Sequence, residues 1–189
     1  MDRDLLRTWL HRHTPADKHE QECLQQVLAA LNTGGDCFSR HWFTPGHITA
    51  SAFVMSPDQR HMLLISHRDF GLWMQPGGHL DPVDSSVLEA AKRELVEEAG
   101  LSGVAQPDWA SGILDVDVHQ VPAGVKHSEP AHQHFDIRFA FLANTAEVTA
   151  SSDAKDARWF LIDDLVKTSS TDASVRRAAI RLQRRSHTL

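Results

Sequence analysis

The chain has 189 residues, a formal charge of −6 at pH 7 and a hydrophobic share of 41%. This length suits one domain, with room for a terminal extension, and the hydrophobic share allows a sizeable core. No apolar run reaches the length of a membrane span. The negative balance argues against non-specific nucleic-acid binding, which needs a broad basic surface.

Charged residues (Asp2, Arg3, Asp4) open the chain where a secretory signal would need an apolar segment. Over residues 4–12, Leu5, Leu6, Trp9 and Leu10 fall on one side of a short helix. Over 17–32, Leu24, Val27, Leu28 and Leu31 repeat at i, i+3, i+4 and i+7, which predicts a second helix. Asn32-Thr33-Gly34-Gly35 then ends it. Cys23 and Cys37 are too few for a disulfide framework, so they read as reduced thiols of a cytoplasmic protein. From about His47 the pattern changes to strands, at 48–56, 61–66 and near 112–120, 134–143 and 156–160. Asp163-Asp164-Leu165 opens a helical turn. A last helix over 172–185 turns Val175, Ala178, Ala179 and Leu182 inward. Its outer side carries Arg176, Arg177, Arg181, Arg184 and Arg185, a solvated face or an anion-attracting one. Strands mixed with helices give an α/β class.

The most informative stretch is 77–101. Ser86 followed by Glu89 fits a capping box, so a helix starts at Val87, and Gly100 stops it in the left-handed conformation. Leu88, Ala91, Leu95 and Ala99 form its apolar side. At 100° per residue, Glu94, Glu97 and Glu98 share an arc of roughly 100° beside it. Like charges so close repel, unless a hard divalent cation such as Mg²⁺ or Mn²⁺ takes their oxygens. A solvated acidic face is the plain alternative for these three residues taken alone. Glu89, Arg93 and Glu97 are spaced four apart, a ladder that holds Arg93 beside the cluster. Upstream, Gln75-Pro76-Gly77-Gly78 signals a tight turn whose backbone can approach a ligand or metal.

This stretch resembles the Nudix box, the signature of the MutT-like Nudix hydrolase superfamily. That pattern runs glycine, five residues, glutamate, seven residues, then Arg-Glu-aliphatic-any-Glu-Glu-any-Gly-aliphatic. Arg93 to Leu101 matches the second half in full. In the first half, counting from Gly78, Asp84 stands where the glutamate is expected, and eight residues rather than seven separate it from Arg93. A one-residue insertion in the loop accounts for this, with Asp81 the rival to Asp84. Trp73 before Pro-Gly-Gly and the late Ala157-Arg158-Trp159-Phe160 also resemble the family.

The resemblance implies an α/β/α sandwich around a mixed sheet. It also implies Mg²⁺ or Mn²⁺ on Glu94, Glu97 and Glu98, with the Gly78 carbonyl as a further ligand. Glu97 or Glu98 is the candidate base, and Arg93 the residue that orients the glutamates. The expected reaction is hydrolysis of a phosphoanhydride in a nucleoside diphosphate linked to another moiety, with the particular nucleotide-type substrate left open. On this reading residues 1–40 form a helical extension, which offers a homodimer interface, and residues 41–189 form the Nudix domain. Within the superfamily, isopentenyl diphosphate isomerase needs a cysteine before the histidine of a strand-borne pair, and here Gly78 precedes His79. A non-catalytic module that senses nucleotides is the rival of another class; the intact Arg-Glu and Glu-Glu pairs argue against it.

Residues 127–136 read His-Ser-Glu-Pro-Ala-His-Gln-His-Phe-Asp. Alternation puts His132, His134 and Asp136 on one strand face, where they could line the site as substrate contacts. A partly buried polar strand is the plain alternative. Zinc needs three or four ligands, and no further pair has the spacing for it. Glu129 is an extra acid on the preceding loop. Arg68, after His67, is placed to contact phosphate, or simply to solvate a hairpin end.

Overall fold

Helix caps are set by local sequence. In a computed structural model, which describes residues 1–67, 72–124, 129–150, 154–168 and 172–186, α1 spans Arg3–Arg12 and α2 spans Lys18–Leu31. Asp2 caps α1 by accepting from the Asp4 and Leu5 amides, and Asp17 caps α2 through the Glu20 amide at 2.9 Å. The core side of α1 is narrower than predicted. Leu6 and Leu10 are buried, but Leu5 is 38% exposed. A ten-residue helix resting on α2 covers only the stripe that faces its neighbour.

The strands are β1 (Gly46–Met55), β2 (His61–His67), β3 (Trp73–Met74), β4 (Gly77–His79), β5 (Ile113–Val121), β6 (His132–Leu142) and β7 (Ala154–Leu161). They form one sheet in the order β3-β2-β1-β6-β5, with β4 on β1 and β7 on β2. The Gln133 amide bonds to the Pro45 carbonyl and the Ala143 amide to the Met55 carbonyl. These bonds advance in the same direction along both chains, so β1 and β6 are parallel. Since β2 pairs antiparallel with β1, β3 and β7, the sheet is mixed. The helices α3 (Val87–Ala99), α4 (Ile162–Lys167) and α5 (Ala173–Ser186) complete the α/β class expected. The two-residue β3, the three-residue β4 and a 3-10 turn at Asp108–Ala110 were not legible, because such short pieces show no period.

Contacts group the chain into two compact units. The first comprises Met1–Ala50, Gly78–Ala90 and Gly112–Arg138. In it α2 packs on β5, and the fully buried Glu20 pins the two together. Glu20 Oε1 lies 2.6 Å from His13 Nε2 and accepts the Val116 amide at 3.2 Å, while Oε2 accepts the Ala16 amide at 2.6 Å. Gly46 makes the local pairing of β1 with β6 feasible. At a φ of 159°, a Cβ there would stand 1.9 Å from the Gln133 carbonyl oxygen.

The second unit comprises Ser51–Gly77, Ala91–Ser111 and Phe139–Leu189. Its spine is the antiparallel pairing of β2 with β7, in register from His61↔Leu161 to Ile65↔Ala157. Ala91, Leu95 and Ala99 of α3 are fully buried, as are Val175, Ala178, Ala179 and Leu182 of α5. The α5 stripe is the one the sequence predicts, whereas on α3 the expected Leu88 is only half-buried and Val87 and Ala90 are buried in addition. Arg176 and Arg184 are exposed; the Arg185 side chain lies outside the described residues.

Candidate functional site

The acidic helix forms as its sequence dictates. Ser86 Oγ accepts the Glu89 amide at 3.2 Å, α3 begins at Val87, and Gly100 ends it with a φ of 62°. The preceding loop folds on its own aspartates. Asp84 is buried and its Oδ2 accepts the Asp81 amide at 2.7 Å, while Asp81 Oδ1 accepts the Val83 amide. Asp84 therefore shapes the approach to the helix, and the exposed Asp81 turns into its own loop.

On α3 the three glutamates differ. Arg93 Nη1 donates at 2.9 Å to both Glu94 Oε1 and Glu97 Oε2, so one guanidinium bridges two carboxylates. The Glu97 side chain is half exposed and that of Glu94 mostly covered. Glu98 is 6% exposed, and its Oε2 accepts the Gly77 amide at 2.8 Å. The next link upstream, the Pro76 carbonyl, accepts the Ala52 amide of β1 at 2.9 Å. The expected tight turn is a bend at Pro76 that leads into β4, and this segment is fastened at Pro76 to β1 and at Gly77 to the acidic helix. The chemistry of the three glutamates fits a hard divalent cation, because the set offers carboxylate oxygens from three neighbouring positions.

The histidines of the first unit assemble separately. His132 Nε2 lies 3.3 Å from His134 Nε2, and the His47 ring centroid is 4.8 Å from that of His132 and 4.9 Å from that of His134. The His79 and His119 rings meet His134 edge-on, with centroids 5.1 and 5.4 Å from it. Asp136, expected on the same face, instead accepts from Arg138 Nε at 2.7 Å and from Thr49 Oγ1 at 3.1 Å. Arg138 also donates to Asp115 and Asp117, each at 3.1 Å. Burial pushes the Arg138 pKa down, but Asp136, Asp117 and Asp115 outweigh it and hold the guanidinium charged. Glu129 reaches Arg40 at 3.5 Å. Arg68, the expected phosphate contact, lies outside the described residues, as do His127 and Ser128.

His47 was missed by sequence reading, since its partners lie 85 residues on and only the parallel β1/β6 pairing aligns them. Trp73 is half-buried with its ring 4.9 Å from Phe160, and the Arg158 guanidinium lies over it.

Burial, reinforced by repulsion from neighbouring imidazoles and from Arg40, pushes His79 down to about 4. Burial first, then repulsion from His79, His47, His119 and His132, pushes His134 down to about 2. His47 moves the same way, chiefly through burial. An unfolded histidine titrates near 6.5, so below that pH the unfolded chain binds more protons than the folded one. Stability from these groups is complete above about pH 6.5 and falls as pH drops toward about 4, by roughly 1.4 kcal/mol per unit for each imidazole. Thermal unfolding of metal-free protein should therefore show Tm falling between pH 7 and pH 5. A flat or rising Tm would contradict the neutral, buried cluster.

The sequence model of the NUDIX domain matches residues 45–182. Phosphatase NudJ of Shigella boydii is 30% identical over 128 residues, covering 66% of this chain and 74% of that protein. The same-named protein of Escherichia coli K12 is 29% identical over the same shares. Among solved structures, the NUDIX domain of Shewanella oneidensis NrtR complexed with ADP ribose superposes with a TM-score of 0.53 at 16% identity. It covers 74% of this chain and 87% of that one. A C. elegans Ap4A hydrolase gives 0.51 at 16% identity, covering 75% and 98%. The chain belongs to the Nudix family and is a hydrolase of that class. Divalent metals are general to the family, and no helix among the described residues is long and apolar enough to cross a membrane.

Proposed function

We propose that this chain hydrolyses a phosphoanhydride bond in a nucleoside diphosphate linked to another moiety, such as a nucleotide sugar, with Mg²⁺ or Mn²⁺ as cofactor. The observation that carries the reading is the Glu98 carboxylate holding the Gly77 amide, with Glu94 and Glu97 sharing Arg93 one turn away or less. Glu94, Glu97 and Glu98 are the proposed metal ligands, with the Gly78 carbonyl as a further oxygen. Bound there, the ion would neutralise phosphate oxygens and acidify an attacking water. Arg93 orients Glu94 and Glu97. Glu98 holds Gly77, at the start of β4, in register with the helix, and Glu97, the most exposed of the three, has the freest access to a water proton. Glu97 and Glu98 are the two candidate bases in this reading.

Asp84 supports the loop rather than the chemistry, since its carboxylate is engaged with the Asp81 amide. Arg68 is retained as a proposed phosphate contact, and His132 and His134 as groups available to a ligand, while Asp136 serves Arg138 and Thr49. Residues 1–40 are read as a helical extension to a domain over 41–189. The two buried cysteines, Cys23 and Cys37, are read as reduced thiols, which supports a reducing, cytoplasmic setting.

The names of the relatives support the substrate class: a phosphatase, an Ap4A hydrolase and a domain bound to ADP ribose. The test is a panel of nucleotide sugars, dinucleoside polyphosphates and nucleoside triphosphates, assayed with Mg²⁺ or Mn²⁺. Metal-dependent release of phosphate or nucleoside monophosphate is the expected result. Tight binding of one panel member without turnover would favour a nucleotide sensor instead.

A further inference from the structure

The histidine cluster has the construction of a second metal site. Nδ1 of His47 lies 3.1 Å from the Trp42 carbonyl oxygen and Nδ1 of His132 lies 2.7 Å from the Pro130 carbonyl oxygen. A carbonyl only accepts, so both Nδ1 atoms carry the proton and both Nε2 atoms keep a lone pair. Metal-binding histidines are fixed in this same way, by donating the other ring N–H to a carbonyl or carboxylate. His47 Nε2 is buried with no hydrogen-bond partner, in a residue 1% exposed. Such an atom is costly to leave unpaired, and native interiors rarely do so without a bound species to satisfy it.

Ligand nitrogens of His47, His132 and His134 all lie within 4.8 Å of one another. Tetrahedral ligation with Zn–N bonds near 2.0–2.1 Å places neighbouring nitrogens about 3.4 Å apart. The His132 Nε2 to His134 Nε2 separation of 3.3 Å fits one edge of that tetrahedron. The other two separations, each within 4.8 Å, exceed that edge by at most about 1.4 Å. The half-buried His79 ring adjoins the three, its centroid 5.0 Å from that of His47 and 5.1 Å from that of His134. Burial and crowding keep His47 and His134 neutral, the form that ligates.

We propose that His47, His132 and His134 bind a divalent transition ion of the Zn²⁺ class, at a site separate in its ligands from the glutamates of α3. Imidazole nitrogens select zinc and its neighbours, whereas carboxylate oxygens select Mg²⁺ or Mn²⁺, so one chain would sort two kinds of metal by ligand chemistry. Gly46 serves this site directly, since its missing Cβ lets the Gln133 backbone, between the two β6 ligands, lie against the β1 residue next to His47.

Titration of the metal-free, full-length protein with Zn²⁺, in the presence of excess Mg²⁺, tests this by calorimetry. One Zn²⁺ per chain is expected, held against the Mg²⁺. Losing even an outer-shell partner typically costs 10–100-fold in metal affinity, so His132→Ala and His134→Ala should each weaken binding by about 100-fold or more. His134 is less buried than His47, and circular dichroism of His134→Ala would separate lost ligation from lost fold. Glu97→Gln and Cys23→Ser should leave Zn²⁺ affinity unchanged. Unchanged affinity in folded histidine variants would overturn the proposal, as would no Zn²⁺ uptake by the folded wild type. Loss in Cys23→Ser would also overturn it, placing the ion on His19, Cys23 and Asp117 instead.

Discussion

Arg138→Met should lower the stability of the folded chain by about 3–5 kcal/mol, the cost of breaking a buried ion network from one side. Arg138 is 2% exposed, and the three carboxylates it bonds, Asp115, Asp117 and Asp136, are nearly as buried. Its Nε, Nη1 and Nη2 each serve a different aspartate, a division that only the planar guanidinium fork allows. Remove it and three negative charges remain within a few ångströms of one another, with solvent largely shut out. Arg138→Lys keeps one positive charge but not the fork, so it should fall between wild type and the methionine variant. Urea denaturation checks both, with the midpoint falling while the slope m stays constant. A methionine variant within about 1 kcal/mol of wild type would contradict the assignment of Arg138 as the keystone of this unit. Converting all three aspartates together with Arg138 to apolar residues of similar size is the informative control, because whole-network replacement is often neutral.

Much of this architecture could be read from the chain. The stripe Val175-Ala178-Ala179-Leu182 announces the buried face of α5 because helical period and burial coincide there, and Ala91, Leu95 and Ala99 do the same for α3, where only Leu88 of the expected stripe is half-buried. Ser86 and Gly100 mark both ends of α3 because caps are local chemistry. Contacts that depend on pairing were not legible. Asp136 was read by alternation as sharing one strand face with His132 and His134, and spacing gave no sign that its carboxylate accepts from Arg138, two residues on along its own strand. Asp115 and Asp117 on β5 alternate with apolar residues, and that pattern of charges inside a buried strand was the available sign of an ion network. No local pattern links His47 to His132 and His134. Their meeting depends on the parallel register of β1 and β6, which sequence spacing does not encode.

The acidic helix was legible as a motif, but the division of labour within it was not. Glu98 faces the bend at Pro76-Gly77 and Glu97 faces solvent because successive helix positions differ by 100°. That difference makes Glu98→Gln the sharpest variant. Glutamine has the same shape, and its amide oxygen can still accept the Gly77 amide, so the turn and helix should keep their register. What it loses is the negative charge, and with it the strength of a metal ligand and any capacity to take a proton. Loss of a general base alone typically costs about 10²–10⁴-fold, and loss of metal affinity adds to it.

The most direct measurement is the Mg²⁺-dependent turnover of wild type and Glu98→Gln, side by side, on the best substrate of the nucleotide panel. Thermal melts of both proteins should be recorded alongside. The expected result is a fall of at least about 10²-fold in kcat, with Tm unchanged, and no wild-type turnover once Mg²⁺ is chelated. Wild-type turnover in a folded Glu98→Gln variant would contradict a metal-binding, catalytic role for this helix.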